Sequence, residues 1–216
     1  MEIRRPAVAG SFYPADPAEL RTTIRDSYLS PIGPGRLPPN ADELKGVLSA
    51  VCPHAGYDYS GPVAANSYFW LSSLRKPDLV AIVAPNHYAV GSGVSTFRVG
   101  AWETPLGRVA VDASAAKKIV ELTGIVDYDT EAHRKEHSLE VQLPFLQMIY
   151  GTFSLLPISI SFQEIETARE LGAGLSQLLK GRDALLSVLG PDTLRTRGGR
   201  RGERRSSLGE CLRARR

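Results

Sequence analysis

The chain has four histidines, and each lies at the end of an apolar segment or shortly before one. His54 and His87 follow the runs GVLSAVC and LVAIVAP, while His133 and His137 precede the run that begins at Leu139. Neutral imidazole binds borderline cations such as Fe(II), Cu and Zn, and it also transfers protons near neutral pH. Histidines gathered at the ends of structural elements therefore indicate a metal or proton-transfer site.

Residues 132–150 have the pattern of a polar cluster followed by an amphipathic helix. Two carboxylates and a hydroxyl stand beside His133 and His137, and apolar residues then recur at helical spacing. A solvated helix N-terminus is the alternative to a reactive site. Pro144 interrupts the pattern and predicts a kink or a lost hydrogen bond in the helix. The polar cluster comprises Glu136, Ser138 and Glu140, and the apolar stripe comprises Leu139, Leu143, Leu146 and Tyr150.

The apolar runs before His54 and His87 predict two strands of a parallel sheet. Residues 46–52 are rich in β formers, and residues 79–85 are almost continuously apolar, as in strands buried on both faces. Residues 62–74 have a helical pattern, which suggests a right-handed crossover between the strands. Ligands of open α/β sheets bind outside the carboxyl ends of strands, so a site shared by both histidines is favoured over two isolated loop histidines. Candidate pocket residues are Tyr57, Asn86, Tyr88 and His133.

The rest of the chain continues the α/β pattern. Residues 1–17 predict an extended arm, and residues 94–111 predict antiparallel strands. Pro157 places the strand at 153–160 on a sheet edge or at a bulge. Further predictions are helices from Pro17 capped by Asp16, from Asp112 to Leu122 and over 163–180, a loop at 31–39 and a strand at 183–190.

Composition restricts the class of protein. A chain of 216 residues with 43% hydrophobic content is typical of one globular domain or two small ones. It has no apolar run of membrane-spanning length and no signal-peptide pattern, so we expect a cytoplasmic protein without a membrane partner. Two cysteines, Cys52 and Cys211, form no disulfide framework, which agrees with a reducing compartment.

The C-terminal residues differ from the rest of the chain. Residues 181–216 hold ten arginines and four acidic residues, whereas the whole chain has a net charge of +3. We therefore predict an α/β domain over 1–190 and a disordered, arginine-rich tail over 191–216. The tail has the composition of a nucleic-acid-binding segment and also that of an out-of-frame translation of a GC-rich gene. We favour the second interpretation, so no nucleic-acid partner is expected.

Four separated motifs resemble those of the Memo family, including its archaeal members: PHAGYDYSGPVAANSY, APNHYAVGSG, ETPLGRVAVD and EAHRKEHSLEVQLPFLQ. The opening RRPAVAGSFYPADPAEL is also similar, and the resemblance covers roughly residues 3–186. The family is similar in fold to LigB-type extradiol dioxygenases, which use non-haem iron. The resemblance thus implies a three-layer α/β fold, with a mixed or parallel sheet flanked by helices and a metal pocket at the strand ends.

The resemblance also implies roles for individual residues. His54 and His87 match metal ligands, and His137 matches a catalytic acid/base, which Glu136 or Glu140 would orient. The family's late cysteine motif has no match around Cys211, so the third ligand is not identifiable and we expect a truncated or frameshifted member. One Fe, Cu or Zn ion is the expected cofactor. A radical-SAM protein and a small companion protein are the partners that family resemblance implies.

Three functions are open at this point. The first is a metal-dependent redox or oxygenase-like activity, which the resemblance implies without a settled reaction. The second is a non-enzymatic module that binds a peptide or phosphopeptide, which a missing third ligand would favour. The third is a zinc peptidase of the inverzincin type, because residues 133–137, HRKEH, fit the pattern H-x-x-E-H.

Overall fold

The structure is a computed structural model that describes residues 2–39, 48–73 and 76–189. The predicted tail and the start of the strand predicted over 46–52 lie outside these residues. The described part contains both helices and strands. The strands are β1 (Ile3–Arg4), β2 (Leu48–Cys52), β3 (Leu79–Pro85), β4 (Val94–Thr96), β5 (Ala101–Thr104), β6 (Gly107–Val111), β7 (Asp127–Tyr128), β8 (Ser154–Ile160) and β9 (Ala184–Leu189). The helices are α1 (Pro17–Leu29), α2 (Tyr57–Ser72), α3 (Ala113–Thr123), α4 (Glu131–Arg134), α5 (Leu143–Tyr150) and α6 (Ile165–Leu179), with a 3₁₀ turn at Glu140–Gln142.

The strands form one mixed sheet in the order β1-β5-β6-β8-β3-β9-β2. Most neighbouring pairs are parallel, including β3 with β8 and β9, and β2 with β9. The β5–β6 hairpin is antiparallel, as is the pairing of β4 with β8. The sheet confirms the predicted mixed, mainly parallel architecture.

Helices cover both faces of the sheet. On one face, side chains of α1, α2 and α5 pack against Val80, Ile82 and Leu185. On the other face, α3 and α6 pack against the alternate residues of the same strands, among them Leu79 and Ala81. This arrangement agrees with the predicted three-layer α/β fold. Within the described part of the chain, no helix is both long and apolar enough to cross a membrane.

The two predicted aspartate caps are confirmed. Asp16 accepts hydrogen bonds from the amides of Ala18 and Glu19 at the start of α1, and Asp112 caps α3 in the same way. Such caps satisfy amides that have no acceptor within the helix. The structure starts α2 at Tyr57, before Pro62, so the predicted start at residue 62 is wrong.

The predicted edge position of Pro157 is wrong, and Pro144 lies at the start of a helix instead of inside one. Pro157 lies in β8, which is an interior strand of the sheet. On one side, β8 pairs with β6 before Pro157 and with β4 after it. The Pro157 carbonyl accepts from Thr96 Oγ1 at 2.7 Å. The position of the missing N–H therefore faces the gap between β6 and β4, where no hydrogen bond between strands is lost.

Pro144 lies in the first turn of α5, where its missing N–H has no intrahelical partner. The chain is therefore divided into a 3₁₀ turn and a short helix instead of one kinked helix.

Candidate metal centre

Three histidines converge at the carboxyl ends of β2 and β3. His54, His87 and His137 each offer a ring nitrogen, and these atoms lie within 4.8 Å of one another. The Nε2 atoms of His54 and His87 are 3.4 Å apart. Two nitrogens bound to one tetrahedral ion at about 2.1 Å are separated by about 3.4 Å. The three histidines can therefore hold one metal ion.

The sequence analysis identified two ligands and no third, and the geometry offers a candidate for the third. His137 presents its ring to the same point as His54 and His87, with ring centroids 6.0 and 4.6 Å from theirs. The resemblance implies an acid/base role for His137 and a late cysteine as the third ligand, for which Cys211 is no match. Since one imidazole nitrogen can bind a metal, His137 can serve as a third donor.

The segment that carries His137 also ties the two strand ends together. Ser138 Oγ donates to the carbonyl of Pro85 at the end of β3, at 3.0 Å. Gln142 Nε2 donates to the carbonyl of Pro53, just after β2, also at 3.0 Å. Tyr68 donates its hydroxyl proton to the side-chain oxygen of Gln142, which fixes the amide orientation. These bonds from one segment to both strand ends set the spacing of His54 and His87.

Glu136 orients the ring of His87. Its Oε2 accepts from the His87 amide at 2.6 Å, and its Oε1 lies 2.9 Å from His87 Nδ1. Oε1 also accepts from the Ser138 amide and lies 3.4 Å from His137 Nδ1. Burial favours the neutral acid, but the bonds from Ser138 and His87 outweigh it and hold the pKa of Glu136 below its ordinary value. With a proton on Nδ1 donated to this carboxylate, His87 would present Nε2 towards His54 as a metal ligand.

The centre is open to solvent on one side. His54 is 2% exposed, whereas the side chains of His137 and His87 are 13% and 33% exposed. Phe12 in the N-terminal arm covers the other side, with its ring centroid 4.5 Å from that of His137. The Phe12 carbonyl accepts from the Tyr57 amide at 2.7 Å, which fixes the arm next to α2. The His87 side is therefore the more exposed side of the histidine cluster.

Glu140 is buried and binds the N-terminal arm. Its carboxylate forms an ion pair with Arg4 and accepts from the amides of Ala7 and Val8 and from the hydroxyl of Tyr13. Both oxygens are engaged by these donors. The geometry gives Glu140 a structural task, whereas the sequence analysis considered it as an orienting group for His137.

His133 lies apart from the three clustered histidines. It is 1% exposed, its Nε2 lies 3.3 Å from Ser95 Oγ, and its ring packs edge-on against Phe97 and Trp102. Helix α4 ends at Arg134, so the HRKEH segment does not place His133 and His137 on one helical face. The zinc-peptidase hypothesis requires that shared face, and the structure contradicts it.

Acid should destabilise the protein through His133. Burial, assisted by the charge of Arg4, lowers the pKa of His133 from 6.5 to about 3. The unfolded chain therefore binds a proton that the folded chain excludes, and stability should fall as pH drops from 6.5 towards 3. The slope from one such group is about 1.4 kcal/mol per pH unit. Urea unfolding at several pH values should show a flatter profile for His133→Gln than for the unmodified chain, and equal slopes would contradict the assignment.

The other predicted pocket residues have different surroundings. Tyr57 is buried and donates to the carbonyl of Val141 at 2.8 Å, so it packs beneath the centre. Asn86 closes the loop after β3, because its side chain bonds the backbone of Tyr88 and Val90. Tyr88 is 54% exposed beside His87. Sequence reasoning placed Ser138 in the polar cluster without a role, and it missed Phe12 and Gln142, of which only Gln142 carried a signal, as a polar residue within an apolar stretch.

Comparison with known proteins identifies the group to which the chain is related. The family model for Memo-like proteins matches residues 4–192. The chain belongs to the Memo family. The three histidines of the centre and the segment that ties them together all lie within the matched residues.

Curated relatives in the Memo family are closely similar in sequence. A MEMO1 family protein of Methanopyrus kandleri is 46% identical over 181 residues, which are 83% of this chain and 64% of that protein. A relative from Sulfolobus acidocaldarius is 46% identical over 196 residues, which are 89% of this chain and 69% of the relative. The chain thus spans about two thirds of the length of these relatives.

Proposed function

We propose that this Memo family protein binds one redox-active transition metal through His54, His87 and His137 and performs metal-dependent redox or oxygenase-like chemistry. The observation that carries this proposal is the convergence of three imidazole nitrogens within 4.8 Å at the strand ends. A set of three nitrogen donors suits Fe, Cu and Zn and leaves coordination positions for an exogenous ligand.

The donor set fits a borderline cation better than a hard one. Mg²⁺ and Ca²⁺ prefer oxygen ligands, whereas the three converging donors here are imidazoles. A bound iron or copper ion would supply one-electron chemistry and a site for dioxygen or substrate. The protein itself contributes the oriented His87 ring, the Glu136 carboxylate that holds its Nδ1 proton, and the apolar wall of Phe12.

The peptide-binding alternative was favoured by the absence of a third metal ligand, and the three-histidine cluster removes that argument. That hypothesis depended on a site with two ligands and therefore a weak hold on metal. Since His137 provides a third nitrogen in the described structure, the geometry supports a metal site more directly than a vacant peptide pocket.

Metal binding can be tested on protein that has been stripped with a chelator. Anaerobic titration with Fe(II), and separately with Zn(II), should saturate at one ion per chain, measured by elemental analysis after desalting. The iron-loaded protein should then consume dioxygen in the presence of a reductant, with the zinc-loaded protein as the matched redox-inert control. Binding of less than one ion per chain would refute the site, and equal dioxygen consumption by both forms would refute the redox chemistry.

A further inference from the structure

A line of aromatic side chains extends from the histidine cluster into the core. Phe12 packs against His137 with ring centroids 4.5 Å apart, and Tyr13 is the next residue in the chain. The ring centroid of Tyr13 lies 5.6 Å from that of Tyr57, which in turn lies 5.0 Å from that of Phe145. These separations are those of packed aromatic pairs. Tyr13 is therefore an oxidisable side chain close to the metal centre.

Tyr13 differs from the other buried tyrosines in the group that accepts its hydrogen bond. Its hydroxyl donates to Glu140 Oε1 at 2.5 Å, whereas the other buried tyrosine hydroxyls have a neutral acceptor or none within the described structure. The neutral acceptors are Val141 for Tyr57, Gln142 for Tyr68 and Leu71 for Tyr150, and Tyr28 has no acceptor. A carboxylate takes up a proton far more readily than an amide oxygen does. Of these tyrosines, Tyr13 is thus the one that has a base in place.

The base matters because loss of an electron turns a phenol into a very strong acid. Oxidation of a buried tyrosine therefore requires an acceptor for the hydroxyl proton. Burial, together with the charge of Glu140, raises the pKa of the Tyr13 phenol above its ordinary value, so the side chain is protonated before oxidation. The ion pair with Arg4 holds the Glu140 carboxylate in position. The electron can thus leave towards the histidine cluster while the proton crosses one hydrogen bond to Glu140.

We propose that Tyr13 is a redox-active residue that gives one electron to the metal centre and its hydroxyl proton to Glu140. This inference rests on the proposed function, because the one-electron oxidant is the one that dioxygen provides at the iron-loaded centre. In the step, the Tyr13 O–H bond breaks, the electron reduces the oxidant, and the proton binds Glu140 Oε1. The products are a neutral tyrosyl radical, a carboxylic acid and the oxidant reduced by one electron. Tyr13 is 3% exposed, so the radical is shielded from reductants in solution.

Electron paramagnetic resonance of the full chain, loaded with Fe(II) and frozen at intervals after mixing with dioxygen, tests the proposal. The unmodified chain should give a radical signal whose hyperfine pattern narrows when its tyrosines are deuterated at Cβ, as expected for a tyrosyl radical. Tyr13→Phe should lose this signal, whereas Tyr57→Phe, the matched control at the neighbouring buried ring, should keep it. Both substitutions retain the aromatic ring and its packing. The zinc-loaded chain should give no signal, since Zn²⁺ has no redox chemistry.

A second variant tests the part that the carboxylate plays. Arg4→Met combined with Glu140→Gln keeps Tyr13 and removes its base without leaving a buried charge, so the tyrosyl signal should be lost although Fe(II) still binds. A signal that survives in Tyr13→Phe or in the double variant would overturn this proposal alone, as would an iron-loaded chain that consumes dioxygen without a tyrosyl signal. A chain that binds no iron, or consumes no dioxygen, would overturn the proposed function and this proposal with it.

Discussion

Replacing any one of His54, His87 and His137 with alanine should weaken metal binding by more than the roughly 10–100-fold that loss of an outer-shell partner costs. Each substitution removes one of three nitrogens that converge within 4.8 Å. The decisive outcome is a loss of metal affinity in His137→Ala as large as in the other two variants. A site with only His54 and His87 as protein ligands would tolerate the loss of His137. The measurement is competition for Zn(II) or Fe(II) against a chromophoric chelator.

Two further substitutions serve as reference variants for the metal affinities in this series. Glu136→Gln retains the three ligands but disturbs the hydrogen bond to His87 Nδ1, so affinity should fall by roughly 10–100-fold with stoichiometry unchanged. His133→Ala is the control histidine, since its ring lies among Ser95, Phe97 and Trp102, and affinity should stay constant. Loss of metal in His133→Ala would revive the zinc-peptidase hypothesis, and unchanged affinity in His137→Ala would restore a two-ligand site.

Replacing Glu140 with alanine should lower the free energy of unfolding by about 3–5 kcal/mol. The side chain of Arg4 is 3% exposed, and without Glu140 its guanidinium would be a buried charge without its ion-pair partner. Two backbone amides and the Tyr13 hydroxyl would lose their acceptor at the same time. Denaturant unfolding monitored by circular dichroism gives the difference directly.

A double variant separates the ion pair from simple loss of packing. Arg4→Met combined with Glu140→Gln leaves no buried charge at this site, so it should be less destabilised than the sum of the two single variants. Additive effects would show that the pair is not coupled. Full stability of Glu140→Ala together with lost catalytic activity would instead return Glu140 to the orienting role that the sequence analysis considered.

The resemblance to Memo proteins and the local patterns together anticipated much of the architecture and part of the site. Asp16 and Asp112 cap helices because a short acidic side chain satisfies nearby amides, whatever the rest of the chain does. The run that precedes His87 forms a strand that is apolar enough to be buried on both faces, and the run that precedes His54 forms a parallel strand of the same sheet. Parallel strands bring equivalent ends together, so proximity of these two histidines was predictable.

Sequence by itself therefore determined most helices and strands, the helix caps, and the carboxyl ends of the strands as the place where the histidines gather. Only the tertiary structure decided which polar residues belong to the site, because these choices depend on contacts between distant parts of the chain. Arg4 and Glu140 are 136 positions apart, yet their pairing gives Glu140 a structural role. His133 and His137 are four positions apart, yet one is enclosed by aromatic rings and the other joins the metal centre. The physical reason is that α4 ends between them, and helical periodicity, which relates neighbours in sequence, then no longer holds.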